Sequence, residues 1–281
     1  MVSDITDNRL IRKLEDISLR SQHALICYVV AGYPSMAATE KIISALVSAG
    51  ADIIEIGIPF SDPIADGPII QEASHHALLK GVTPVKCLQL ASNVRNKFPK
   101  LPLLIMTYSN ILLRAGFENF MIKSKRSGID GFILPDMTFE ESGSYIRQAS
   151  RLNLATIFLI SPNTASDRIR AIVKKSSGFV YLVSVYGVTG TRGSFEDYTL
   201  RAIKNTKRIA GSGLTIAVGF GITKPSHARL MIKAGADAVI IGSAIISKIK
   251  SNNNSGEKQM LSSLKSFITG MKRACRQVPL T

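Results

Sequence analysis

Residues 51–71 read ADIIEIGIPFSDPIADGPIIQ. Ile53, Ile54, Ile56 and Ile58 form an apolar run of strand character, and a single carboxylate, Glu55, sits inside it. The run breaks at Gly57 and Pro59 into a loop that carries Asp62, Pro63, Asp66, Gly67 and Pro68. A buried-strand pattern that opens into a carboxylate-bearing loop points to an active-site rim. An unpaired carboxylate within a strand costs several kcal/mol, so Glu55 calls for a functional reason. Asp62 beside its proline serves an Asx turn equally well.

Outward from this stretch, the same kind of apolar, β-branched run recurs. It appears at 24–31 (ALICYVVA), 101–108, 130–135, 155–160, 179–185, 214–220 and 236–242, making eight in all. None alternates cleanly, as expected of parallel strands covered on both faces. Between them lie segments of helical period. These fall at about 36–49, 84–97 (Thr83 as N-cap, Pro84 at N1), 117–128, 139–152, 166–178 and 195–209, with another opening near Pro225. An extra helix at about 8–20 precedes the first strand, with Asp4 and Asp7 as candidate caps, and a final helix spans about 259–275. Eight strand–helix units predict an α/β fold of one domain over 1–281, a (β/α)8 TIM barrel at about 24–247. A doubly wound open sheet is disfavoured because no GxGxxG follows the first strand.

The composition narrows the function classes. The chain has 281 residues and a net charge of +15. Its start has no apolar signal region, and its apolar runs are too short to span a bilayer. Three scattered cysteines, Cys27, Cys87 and Cys275, fit a reducing cytoplasm, and no pair has metal-ligand spacing. The basic residues spread over many helices without an aromatic or zinc-finger pattern, so no nucleic-acid partner is expected, and the short apolar runs give no expectation of a membrane partner. His23, His75, His76 and His227 lack ligand spacing, so no metal is expected either.

In a barrel the chemistry lies where the strands end. Glu55 among isoleucines should have a raised pKa and donate a proton, whereas Asp66 on a more polar loop should stay ionised. Two carboxylates in unlike environments make an acid/base pair. Three glycine-containing turns, GVTGTRG (187–193), GFGI (219–222) and GSAI (242–245), follow the last three strands. Their exposed N–H groups, and the helix start at Gly242-Ser243, suit a phosphate. Tyr108 and Tyr181 are placed to line a pocket or to serve as plain core aromatics.

The stretch EIGIPFSDPIADGPIIQ closely resembles the signature of the tryptophan synthase α chain. The likeness continues through AGYP, GVTP, MTYSN, LPD, GVTGTRG, GFGI and GSAI in order, over nearly the whole chain. It implies retro-aldol cleavage of indole-3-glycerol phosphate to indole and glyceraldehyde 3-phosphate. It also implies no cofactor in this chain, and a partner β chain that carries PLP and receives the indole, usually as α2β2. By position, Glu55 matches the general acid/base at indole C3, and Asp66 the group that polarises indole N1–H. Tyr28, Tyr108 and Tyr181 match pocket positions, and Thr189 a lid residue. Gly190, Gly219, Phe220, Gly221, Gly242 and Ser243 match phosphate and pocket loops, while Asp62, Pro63 and Asn110 match contacts with the β chain. PDMT (135–138), Tyr28 and the Leu113-Arg114 pair depart from the usual pattern. A free-acting lyase and a mainly regulatory subunit are the rival readings.

Overall fold

The computed structural model describes residues 7–183, 192–219, 221–252 and 255–276. Eight strands close into a parallel barrel in sequence order. They are β1 (Ala24–Val30), β2 (Ile53–Gly57), β3 (Leu103–Met106), β4 (Gly131–Ile133), β5 (Ala155–Ile160), β6 (Phe179–Val183), β7 (Thr215–Gly219) and β8 (Ala238–Ile241). The helices up to the middle of the barrel are α1 (Arg9–Leu19), α2 (Met36–Ser48), α3 (Pro68–Leu79), α4 (Pro84–Lys97), α5 (Ser109–Arg114) and α6 (Phe117–Arg126). The remainder are α7 (Gly143–Arg151), α8 (Ser166–Lys175), α9 (Arg192–Ala210), α10 (Pro225–Lys233), α11 (Ser243–Asn252) and α12 (Glu257–Arg276).

Side-chain alternation splits the core into two layers. Ile26, Ile53, Leu104, Ile133, Ile157, Ala217 and Ile240 fill the barrel interior. Their neighbours Leu25, Cys27, Ile54, Ile56, Leu103, Ile105 and Phe132 face outward and pack under the helices. α1 closes the N-terminal end of the barrel by adding Leu10, Leu14 and Ile17 to the interior cluster. The strands are therefore covered on both faces, which explains the unbroken runs in the sequence.

A polar device recurs at the same end. Asp52, Asp130 and Asp237 stand just before β2, β4 and β8. Each accepts a hydrogen bond from a backbone N–H of the preceding strand unit: Leu25 at 2.8 Å, Leu103 at 2.9 Å and Ile216 at 2.9 Å. Before β6 the Ser177 hydroxyl does the same for the Thr156 N–H at 3.0 Å. Each aspartate is neutralised in turn, by Lys272 at 2.5 Å, Arg95 at 2.8 Å and Lys207 at 2.7 Å. Glycines two residues earlier make room. A Cβ on Gly50 or Gly128 would lie 2.9 Å and 2.6 Å from the stems of Lys272 and Arg95.

Several expected boundaries shift. Asn8, rather than Asp4 or Asp7, caps α1, its side chain accepting from the Leu10 N–H at 2.9 Å. The short helix α5 was not anticipated; Asp136 caps it by accepting from the Ser109 N–H at 2.9 Å. α7 starts at Gly143 and not 139, because the Ser142 hydroxyl donates to Phe139 O at 2.6 Å and holds a turn there. The sequence after β8 forms two helices, with Gly256 at φ 86° between them.

Candidate active site

Glu55 lies on the inward face of β2, in register with Tyr28 on β1 and Leu104 on β3. It is fully buried, and neither carboxylate oxygen has a hydrogen-bond partner among the described residues. Burial first, and the nearby negative charge of Asp66 second, push its pKa up to about 8. At neutral pH it is mostly the protonated acid.

The chain leaves β2 through Ile58–Gly67, and this loop folds back over the barrel mouth. Tyr108, at the end of the β3 unit, pins it. Its hydroxyl accepts from the Ala65 N–H at 3.0 Å and donates to Asp66 Oδ2 at 3.2 Å. Its ring stacks on Phe60 with centroids 5.0 Å apart. The Gln71 amide donates to Asp66 O at 2.9 Å, fastening the loop to the first turn of α3. Asp66 Oδ1 is enclosed without a partner. The surroundings are therefore less polar than the loop sequence implied: burial raises the Asp66 pKa to about 6, and only the Tyr108 hydrogen bond opposes it. The expected order survives, with Asp66 ionised while Glu55 is protonated.

A cavity of about 280 Å³ opens between these two carboxylates. Tyr28 and Tyr181 stand in its wall with Met106, Ile222 and Ile240, and Ile69 and Ile70 of α3 complete the apolar side. Burial, and then the neighbouring carboxylates, push both tyrosine pKa values well up, so each remains a neutral hydroxyl. Glycines seat the rings. A Cβ on Gly57 would collide with the Tyr28 hydroxyl, and one on Gly219 with that of Tyr181. At the far end, Gly221, Gly242 and Ser243 line the cavity at the start of α11. The first turn of that helix carries no acidic residue, so its N–H groups present unopposed positive character to an anion.

The structure thus brings together Glu55, Asp66, Tyr28, Tyr181, Gly221, Gly242 and Ser243. Tyr108 is not among the residues lining the cavity; it stands behind Asp66 and positions it. Gly219 serves as the seat of Tyr181, so its place in the sequence motif has a packing reason. Thr189, Gly190 and Phe220 lie outside the described residues. Asp62 and Asn110 are exposed and Pro63 is half-buried, and the Phe60–Tyr108 stack holds their two segments together at the rim. Ile64 and Leu113 are 84% and 64% exposed beside them. The sequence reading missed Gly57 and the isoleucines of α3. The inward alternation of β2 continued by two residues would have found Gly57. Among the described residues no cluster of three or more His, Cys, Asp or Glu side chains could hold a metal ion.

Comparison with known proteins agrees with this geometry. Residues 14–276 match the family model described as tryptophan synthase alpha chain. A tryptophan synthase alpha chain of Methanothermobacter thermautotrophicus is 43% identical over 85% of this chain and 86% of its own length. One from Arabidopsis thaliana is 40% identical over 89% and 90%. Among solved structures, the tryptophan synthase alpha subunit of Legionella pneumophila superposes with a TM-score of 0.85 at 31% identity, covering 95% of this chain and 98% of that one. A chain of M. tuberculosis tryptophan synthase in its aminoacrylate-bound form gives 0.83 at 29% identity, over 96% and 100%. The closed eight-stranded barrel, the carboxylate pair at its mouth and these matches place the chain in the tryptophan synthase alpha chain family, a lyase family of tryptophan biosynthesis.

Proposed function

We propose that the chain cleaves indole-3-glycerol phosphate to indole and glyceraldehyde 3-phosphate through Glu55 and Asp66. The observation that carries the reading is the unpartnered Glu55 carboxyl, enclosed across one cavity from Asp66. With its pKa near 8, Glu55 holds a proton at neutral pH and gives it to indole C3. The positive charge that develops at the ring nitrogen falls to Asp66, which is ionised above about pH 6 and accepts from N1–H. Glu55, now a carboxylate, takes the proton of the glycerol hydroxyl. The C–C bond breaks, its electron pair restores the aromatic ring, and the carbonyl of glyceraldehyde 3-phosphate forms. Tyr28 and Tyr181 hold the ring between them. The start of α11 with Gly221, Gly242 and Ser243 receives the phosphate, and Thr189, Gly190 and Phe220 belong to the loops that close the site.

The rim that carries Asp62, Pro63 and Asn110, with the exposed Ile64 and Leu113, docks a PLP-dependent β chain in an α2β2 assembly. The chain itself holds no cofactor, and the enzyme works in the cytoplasm, a reading supported by three buried free cysteines. The test is indole release from indole-3-glycerol phosphate by the wild type and Glu55→Gln, each with and without a β chain. Slow release that the β chain accelerates and the variant abolishes is expected. Fast release by the chain alone would identify a free-acting lyase. No release from wild type in either condition would sink the enzymatic reading and leave a regulatory subunit.

A further inference from the structure

Asp66 carries its charge under a handicap. The reaction proposed above needs it ionised while Glu55 is protonated. Burial drives it the other way, to a pKa of about 6, and only the Tyr108 hydroxyl on Oδ2 opposes that rise. Its other oxygen, Oδ1, is enclosed with no partner among the described residues. Among the described residues that line the cavity there is no lysine, arginine or histidine. The titratable groups that face Asp66 are Glu55 on β2, Tyr28 on β1, Tyr181 on β6, and Tyr108 after β3 with Asp136 behind it. Ser243 lines the far end, at the start of α11. A second side-chain donor for Asp66 therefore has to be Tyr28 or Tyr181.

Tyr28 is the one aimed there. It is the register partner of Glu55, and its side chain enters the barrel beside it. Gly242 flanks the ring near its root, where a Cβ would lie 3.1 Å from Cδ1, and the hydroxyl comes to rest over Gly57, where a Cβ would collide with it. Gly57 ends β2, the point from which the loop to Asp66 departs. The hydroxyl makes no hydrogen bond among the described residues, although Tyr28 is only 5% exposed. Burial first, then the charge of Asp66 ahead of that of Glu55, keeps it neutral and so a donor. Tyr181 feels Glu55 ahead of Asp66, and its hydroxyl rests over Gly219 on β7. An unpartnered buried donor and an unpartnered buried acceptor thus share one cavity, and each is costly until it is paired.

We propose that the Tyr28 hydroxyl is the second donor to Asp66, serving Oδ1 directly or through one water as Tyr108 serves Oδ2, and that it holds Asp66 in its carboxylate form. Tyr28 is then a positioning residue, and its kinetic test rests on the reaction proposed above. A donor to the charged form lowers a carboxyl pKa, so loss of the hydroxyl raises that of Asp66. Glu55 loses no donor and keeps its own titration near pH 8. The hydroxyl therefore widens, on the acid side, the pH window in which one carboxyl is ionised and the other protonated.

The test is the pH profile of indole release by wild type and Tyr28→Phe from pH 5 to pH 9. A hydrogen bond to a charged group corresponds to about one to two pKa units, so the acid limb of the variant should move up by that much. Its kcat/KM should fall by about tenfold at pH 5 and little at pH 8, with the alkaline limb in place. Tyr28→Leu, which also removes the ring, should show the same acid limb and add a rise in KM at every pH. An equal loss at all pH values would make the hydroxyl a packing group and overturn the proposal. So would a pH-independent rise in KM for Tyr28→Phe, which would assign the hydroxyl to substrate. Carbon-13 titration of the Asp66 carboxyl, identified by its loss in Asp66→Asn, needs no turnover. It should show the same upward shift in Tyr28→Phe, and an unchanged value would overturn the proposal. An inactive wild type with that shift present would sink the reaction and leave the Tyr28–Asp66 pairing standing.

Discussion

Glu55 shows how one residue couples chemistry to stability. A carboxyl with a folded pKa of about 8 instead of the ordinary 4.5 binds its proton more tightly in the folded chain than in the unfolded one. Between those two values the folded state holds more protons, so stability falls as pH rises through the window and is unaffected below it. The penalty grows by roughly 1.4 kcal/mol per pH unit while the imbalance lasts. Glu55→Gln keeps the shape and removes the titration. Below about pH 6 Asp66 adds the same slope to both proteins, so the window that isolates Glu55 lies above it. Urea unfolding at intervals from pH 6.5 to pH 8 should show the wild type losing stability and the variant nearly flat by comparison, with indole release down by about 10²–10⁴-fold. An equal slope in both proteins would mean that Glu55 titrates normally and is no buried acid. The same group that weakens the fold at neutral pH is thus the proposed proton donor, and that role would be a reason for a carboxylate to persist inside a strand of isoleucines.

At the scale of elements, the eight strands were legible because parallel strands buried on both faces leave unbroken β-branched runs, and Thr83-Pro84 marked α4 by cap chemistry alone. Less legible was anything set by contacts between distant segments. Nothing local in FSDPIADG says that Tyr108, more than forty positions later, holds Asp66 by its hydroxyl and thereby shields it from water. Likewise the spacing of Gly-Ala-Asp at 50–52 and Gly-Ile-Asp at 128–130 becomes a clamp only once the barrel brings Lys272 and Arg95 alongside. Asp130 is the most heavily used of these, accepting from the Leu103 N–H, Arg95 and Arg9. Asp130→Ala leaves the buried Leu103 N–H without its acceptor and the largely buried Arg95 guanidinium, still held by backbone carbonyls, without its counter-charge, at a cost of about 3–5 kcal/mol. Ser177→Ala removes one neutral acceptor and should cost about 1 kcal/mol. Urea midpoints that rank the two the other way would show that the clamps do not share the load as the contacts imply.

Across the whole molecule the two ends of the barrel have separate tasks. The C-terminal mouth holds the cavity, where unpartnered carboxylates and wedged tyrosines sacrifice stability for chemistry. The N-terminal mouth holds α1 and the clamps, with Leu10 fully buried against the strand starts and touching the space where a Cβ on Gly178 would stand. Between them lie the interior layers of Ile26, Ile53, Leu104 and their neighbours, which are rigid enough to keep the ends independent. Leu10→Ala should therefore cost about 2–5 kcal/mol, the usual range for a buried leucine whose cavity cannot fully collapse. At 25 °C the surviving folded protein should release indole with an unchanged kcat and KM. The measurement is urea unfolding alongside steady-state kinetics on the same preparation. A stability loss with intact kinetics supports the division of labour, because it shows that the plug acts on the folded fraction and leaves the site alone. A fall in kcat in molecules that remain folded would show instead that packing at α1 reaches Glu55 through the barrel interior, and the two ends would have to be treated as one mechanical unit.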